Sequence, residues 1–386
     1  MARTTAVGID IGTYQIKVVV AAQDGADSRV KIIGTGSALS RGIRHGYVIS
    51  RGDLIKTLRA AVAQAEHASG TTIRHAYLSV GGVGLEEYRS RADLLVSRVD
   101  NVVTDLDVKN VIEESERKIS NRLVNRKVIH AIPLAYRLDG ERLLGRPVDM
   151  KGTKLEVDTL FITALEQHLN DLIATVEEVG ISVTDVMASP LAGSFVTLTK
   201  AQKIAGVVLA NIGAETISIA VFENDVPISV RVFPIGSTDI THDIALGLKI
   251  SLDDAEQAKC GALVDASLSK KRLDDIILAR VSDMFTLVEA HLKKLGKSGL
   301  LPAGIVLSGG GSGVTTIEDV ARAVLKLPSS RASLNMPEST KVKDSTWAVA
   351  YGLCLWGLKN DKKSSSLSAI RENASGILGW FKQFLP

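Results

Sequence analysis

The chain has 386 residues, 45% of them hydrophobic and only 4% aromatic, with 46 Lys and Arg against 43 Asp and Glu. That length and apolar content support two lobes around aliphatic cores and exclude wholesale disorder. No apolar run approaches the roughly 18 residues that span a bilayer, and Cys260 and Cys354 form neither a disulfide framework nor a zinc site, as expected of a reducing cytoplasm. The first residues, MARTTAVGID, enter a strand at once and are read as carrying no signal peptide.

Residues 6–20 (AVGIDIGTYQIKVVV) read as two β-branched strands joined at Gly12-Thr13. Asp10 lies among strand-core residues, where a lone carboxylate is costly unless it is paired or faces a metal. Gly12 allows main-chain N–H groups to close on an anion. Strands are expected over 6–21 and 30–39, then a helix over Asp53–Ala68 with Leu54, Leu58, Ala61, Val62 and Ala65 on one face, and a strand Ala76–Val80 running into Gly81-Gly82.

Residues 84–163 read as an insertion. A strand is expected around Leu94–Val99 and a helix over Val108–Ile119, with Thr104 and Asp107 at its start. Two more strands follow, Val128–Tyr136 and Leu155–Thr163, before helix Leu165–Val179 and strand Ser182–Met187 close the lobe.

The second lobe opens near Ile204 and repeats the first hairpin. Strand Val207–Ala210 leads through Asn211-Ile212-Gly213-Ala214-Glu215-Thr216 into strand Ile217–Val221, about 200 residues after its counterpart. Helices are expected within 238–299, including Leu252–Cys260 and Leu273–Leu295. A third glycine segment, Gly304–Ser312 (GIVLSGGGS), ends a strand, and helices Thr316–Leu325 and Thr346–Gly357 follow. Residues 359–375 are polar and read as a disordered linker. The last 28 residues hold five basic and two acidic groups, which leaves 41 of each in the body, so the whole positive excess sits on the tail and nothing marks a nucleic-acid face. At about 100° per residue, Ile377, Leu378, Trp380, Phe381, Phe384 and Leu385 fall on one arc of roughly 160°, with Lys382 opposite, a pattern suited to the surface of an anionic membrane. Ordering so short a helix offsets much of its apolar burial, at about 1–2 kcal/mol per residue, so single tails bind weakly and a row of them strongly.

The ordered trio of glycine loops resembles the phosphate-1, phosphate-2 and adenosine loops of the actin/Hsp70/sugar-kinase superfamily. Within it, Ile33–Gly46 (IGTGSALSRGIRHG), His130–Tyr136 (HAIPLAY), Gly145–Thr163, Asp254–Lys259 (DAEQAK) and the amphipathic end resemble the FtsA family of bacterial cell-division proteins. The resemblance implies an α/β, actin-like two-lobed fold with duplicated subdomains and an SHS2-like insert. Its parts are subdomain 1A over 1–83 and 164–203, 1C over 84–163, 2A over 204–242 and 301–335, and 2B over 243–300. A return helix over 336–358, a linker over 359–375 and a membrane-targeting helix over 376–386 complete it. It also implies ATP or ADP with Mg²⁺. Asp10 would face the metal through water. Gly12, Thr13, Tyr14 and Lys17 would serve the first phosphate loop, and Asn211, Gly213, Ala214, Glu215 and Thr216 the second. Glu256 and Lys259, sharing a helix face at i and i+3, would meet the nucleoside, with Gly309, Gly310, Gly311 and Ser312 in the adenosine loop.

Superfamily members commonly carry Asp-x-Gly-Gly-Gly-Thr at the second loop, where this chain has NIGAET. Asn211 lacks the charge of that Asp, so hydrolysis is expected to be slow or absent, with no catalytic residue assigned. The implied partners are the C-terminal peptide of FtsZ on 2B, with Arg280, Lys293 and Lys294 as basic candidates more simply read as a solvated helix face. Others are further copies of the chain in a filament, later division proteins on 1C, and the cytoplasmic face of the inner membrane at the division site. A PilM-like pilus-assembly protein and a phosphotransferase are the competing readings. The first normally lacks such a tail, and no catalytic-base signature supports the second.

Overall fold

The computed structural model describes residues 3–25, 29–262, 269–334 and 344–365. The first lobe opens with an antiparallel meander, β1 (Arg3–Ile11), β2 (Gln15–Asp24) and β3 (Lys31–Leu39). A two-stranded ribbon, β4 (Ile43–Arg44) and β5 (Tyr47–Val48), precedes α1 (Arg51–Ser69) and β6 (His75–Val80). The inserted unit comprises β7 (Glu86–Leu95), α2 (Asp105–Arg117), β8 (Arg126–Leu138), β9 (Glu141–Leu143) and β10 (Lys154–Leu165), in the sheet order β7-β10-β8-β9. The chain returns through α3 (Glu166–Glu178), β11 (Ser182–Ala188), α4 (Ser189–Thr197) and α5 (Lys200–Ala205).

The second lobe repeats the plan with β12 (Val207–Ile212), β13 (Ile217–Glu223) and β14 (Val226–Phe233), then α6 (Ser237–Leu248), α7 (Leu252–Lys259) and α8 (Lys270–Lys294). It ends with β15 (Ile305–Ser308), α9 (Ile317–Leu325), β16 (Ser329–Arg331) and α10 (Ala348–Ser365). The two large sheets run β3-β2-β1-β6-β11 and β14-β13-β12-β15-β16. In each, a three-stranded antiparallel meander is extended by two parallel strands, so the duplication expected from two hairpins holds for whole sheets.

Helices cover both faces of each sheet, which is why the strands read as continuous apolar runs. Side chains alternate between two cores. Val18 and Val20 join Leu54 and Leu58 of α1, whereas Val19 and Ala21 join the buried faces of α4 and α10. In the second lobe Val208 and Ala210 face Phe285 and Val288 of α8, while Val207 and Leu209 share the α4–α10 core. Helix α10 therefore packs on the first lobe and shares one core with residues of both lobes.

Four expectations are corrected. The strand expected around Leu94–Val99 is β7, which starts at Glu86 and ends at Leu95. Its signal is masked because Arg91 forms ion pairs with Glu156 and Asp158 on neighbouring β10 instead of showing apolar alternation. The second hairpin does not stop at Val221. β14 follows a turn at Asn224-Asp225, both with positive φ, a signal that the sequence does carry. Helices α4 and α5 and strand β16 add to the elements expected from the sequence. Finally, the stretch expected to be a disordered linker from residue 359 continues as helix through Ser365. The amphipathic end, Ile377, Leu378, Trp380, Phe381, Lys382, Phe384 and Leu385, lies outside the described residues. Helix α2 keeps its expected start, since Thr104 Oγ1 accepts from Asp107 N at 3.3 Å and Asp107 Oδ2 accepts from Thr104 N at 2.8 Å.

Candidate functional site

A cleft of about 830 Å³ opens between the lobes, and the three glycine segments meet there. Both hairpin turns are built alike. Gly12 N donates to Gln15 O at 3.1 Å, and Gly213 N donates to Thr216 O at 2.8 Å. A Cβ on Gly12 would lie 2.8 Å from that carbonyl oxygen, so the turn requires glycine. The second turn is pinned from behind by the first amides of α6: Ser237 N donates to Gly213 O at 2.9 Å and Thr238 N to Ala214 O at 2.8 Å.

Asp10, Gly12, Thr13, Tyr14 and Lys17 line one wall. Asp10 and Lys17 are cross-strand partners, and Ser79 Oγ donates to Asp10 Oδ1 at 2.7 Å. Burial pushes the Asp10 carboxyl up, against the pull of the Ser79 hydrogen bond and the Lys17 charge. Burial likewise lowers Lys17, opposed by the charges of Asp10 and Asp344. A carboxylate so placed is one that a cation would relieve. Among the described residues no group of three or more His, Cys, Asp or Glu could hold a metal. Asp10, the carboxylate on this wall, could hold a hydrated cation whose remaining positions are filled by water.

Asn211, Gly213, Ala214 and Thr216 form the facing wall, with Gly309, Gly310 and Gly311 beside them. Asn211 pairs in parallel register with Ser308, and a Cβ on Gly309 would meet Asn211 Oδ1 at 2.3 Å. Glu256 and Lys259 close the far end as one network. Lys259 Nζ donates to Glu256 Oε2 at 2.7 Å, to Thr241 Oγ1 at 2.9 Å and to Ser237 O at 3.1 Å. Burial works against the Glu256 charge, but the bonds from Lys259 and Thr241 outweigh it and hold the carboxyl below its usual range.

Two expected residues stand apart from the cleft lining. Glu215 turns to the first lobe, where its carboxylate accepts from His45 N. Ser312 is buried beneath the third loop, its hydroxyl donating to Gly309 O at 2.6 Å. The structure adds Asp344, Ser345 and Thr346, which the sequence suggests only as the start of a helix. Asp344 Oδ1 accepts from Thr346 N at 3.0 Å, and Ser345 O accepts from Ser308 Oγ at 3.2 Å, tying this turn to the third loop. Outside the cleft, Arg280 is held by both oxygens of Asp243, at 2.5 and 2.9 Å, and Lys293 lies 3.6 Å from Glu289. Arg280 thus ties α8 to α6, whereas Lys293 stays largely exposed on α8.

Duplicated five-stranded sheets, matched hairpin turns and an inter-lobe cleft define an actin-like two-lobed fold carrying an inserted SHS2-type subdomain. Comparison with known proteins agrees. The family model described as Cell division protein FtsA matches residues 208–352, and that of the SHS2 domain inserted in FtsA matches 86–163. The chain belongs to the FtsA family of cell-division proteins. A protein named Cell division protein FtsA from Pseudomonas aeruginosa is 26% identical over 94% of this chain and 91% of its own length. The Bacillus subtilis protein of that name is 29% identical over 92% and 83%. Among solved structures, a chain of a PilM–PilN type IV pilus biogenesis complex aligns with a TM-score of 0.72 at 18% identity, covering 92% of this chain and 98% of that one. Spiroplasma citri MreB5 bound to ADP aligns at 0.54 and 12% identity, covering 94% and 98%. These structural likenesses define the fold.

Proposed function

We propose that this chain binds ATP or ADP with Mg²⁺ in the inter-lobe cleft, polymerises on the cytoplasmic face of the inner membrane at the division site, and tethers FtsZ there. The observation that carries the reading is the pair of matched turns at Gly12 and Gly213 facing one another across a cleft of nucleotide size. Main-chain turns of this kind hold phosphates without adding net charge. Asp10 would carry the hydrated Mg²⁺, Lys17 would lie near the phosphates, and Glu256 and Lys259 would meet the nucleoside. The bound Mg²⁺ would offset phosphate charge. Asn211 stands where a second metal-facing carboxylate is common, which supports weak or absent hydrolysis.

The FtsZ peptide is assigned to the subdomain built on α6–α8, and later division proteins to the inserted sheet. Membrane contact is assigned to 376–386. Among the described residues no helix is long and apolar enough to cross a membrane, and a peripheral anchor needs none. Calorimetry with Mg²⁺-ATP tests the cleft, where a 1:1 heat is expected and none would end the reading. Co-sedimentation with anionic liposomes and purified FtsZ tests the rest. Pelleting of FtsZ only with full-length protein is expected, and pelleting that survives removal of 376–386 would refute the tail's role. Failure to bind FtsZ in solution would favour a PilM-like adaptor.

A further inference from the structure

Glu215, absent from the cleft lining, makes a different connection. Strands β4 and β5 form a ribbon whose two-residue turn is His45-Gly46, with φ of 47° and 88°. Two positive φ angles in succession match the tight turn favoured in hairpins of this length. The ribbon sits backbone on backbone against the strand-end glycines of its own lobe. A Cβ on Gly46 would lie 2.4 Å from Gly82 Cα, and Val83 N donates to His45 O at 3.2 Å. His45, in a conformation that non-glycine residues rarely adopt, thus presents its main-chain N–H to the other lobe. That N–H donates to Glu215 Oε2 at 2.5 Å, and His45 Nδ1 lies 3.3 Å from Glu215 O. A carbonyl oxygen only accepts, so this contact uses the tautomer protonated at Nδ1.

The geometry points to a resident latch between the lobes: the Glu215 carboxylate, held by His45, ties the second phosphate loop to the first lobe without help from a bound nucleotide. A carboxylate and a phosphate are interchangeable as anionic acceptors of main-chain N–H groups. With the protein's own anion bridging the lobes, a terminal phosphate has little differential affinity left for the closed state. A ligand shifts an equilibrium only by that difference. Closure in this protein is therefore the same with a nucleoside diphosphate as with a triphosphate. This last step rests on the nucleotide reading above; the latch itself does not.

Hydrogen–deuterium exchange of the full chain tests both. Peptide 42–50 is followed with no nucleotide, with Mg²⁺-ADP and with a Mg²⁺-bound non-hydrolysable ATP analogue, and α8 serves as the folding control. In the unsubstituted protein the peptide should exchange at the same rate, within about two-fold, in all three states. Glu215→Ala should speed exchange by about ten-fold or more without nucleotide and with ADP, the loss of one charge-assisted hydrogen bond, with the ATP analogue restoring protection. Glu215→Gln keeps the shape but offers only a neutral acceptor, so its exchange should fall between the parent and Glu215→Ala. If Glu215→Ala also exposes α8, Glu215→Gln decides, and exchange faster than the parent with α8 still protected supports the latch. Unchanged exchange in a folded Glu215→Ala, parent-like exchange in a folded Glu215→Gln, or parent protein protected only by the ATP analogue would overturn the proposal. Should neither nucleotide bind, the nucleotide-free comparison still judges the latch, so the two failures are distinguishable.

Discussion

Gly12 and Gly213 hold equivalent positions in the two hairpins, each donating its N–H to the carbonyl three residues on, Gln15 at 3.1 Å and Thr216 at 2.8 Å. The equivalence extends outward to Asp10 with Ser79 and to Asn211 beside Ser308, so one strand-turn design serves both walls of the cleft. Its single large asymmetry is chemical, a carboxylate on one side and an amide on the other.

That asymmetry makes Asp10 testable. Burial raises its folded-state pKa above the ordinary 3.8, so the charged form is penalised in the native state. The native protein then binds more protons than the unfolded chain between the two pKa values, and stability falls as pH rises through that window. Asp10→Asn is expected to stabilise the nucleotide-free protein at neutral pH, with the gain shrinking toward acid, where both forms are neutral. The same substitution should weaken Mg²⁺-nucleotide binding. Thermal melts against pH and calorimetry with and without Mg²⁺ read the two effects, and a melt lowered at pH 7 would contradict the account.

His130 gives the opposite sign. It is buried, Ala188 N donates to its Nε2 at 3.0 Å, and burial lowers its pKa to about 3 from 6.5. The folded state requires the neutral ring, so its contribution is present above pH 6.5 and is lost as pH falls toward 3. One pKa unit corresponds to about 1.4 kcal/mol, so the acid limb of a urea-denaturation series should steepen below pH 6.5. His130→Gln should flatten that limb while lowering stability at pH 7.

Gly236 precedes α6, and a Cβ there would lie 2.2 Å from Ala214 O and 2.6 Å from Glu215 N. Gly236→Ala must displace the turn at Ala214-Glu215. A destabilisation of about 1–3 kcal/mol is expected from such overpacking, together with loss of nucleotide binding. Unchanged urea midpoints and nucleotide heats would show that the loop yields freely.

Lys259 anchors Glu256, Thr241 and Ser237 at the end of the cleft formed by α7. Lys259→Ala is expected to weaken ATP and ADP by a similar factor, about ten-fold, if the proposed placement of the nucleoside beside this network holds. A loss confined to ATP would place this network near the third phosphate instead.

Much of this molecule is written locally. The hairpin turns, the third glycine loop and the i, i+3 pair Glu256–Lys259 are legible because each depends on residues a few positions apart: glycine at a tight turn, two side chains on one helix face. The same holds for the turn into β14, where Asn224-Asp225 carries the signal. β7 is offset from its apolar signal because Arg91 pairs with Glu156 and Asp158, over sixty positions away.

From its sequence alone the chain determined two similar strand-turn-strand walls and an aliphatic core, since patterning and turn chemistry act over short spans. Only the tertiary structure decided that Asp344 enters the cleft, that Arg280 is spent on Asp243, and that Glu215 leaves the cleft wall for His45, 170 positions away. A side chain's direction follows from which distant N–H group lies within reach, and that is set by the packing of whole lobes.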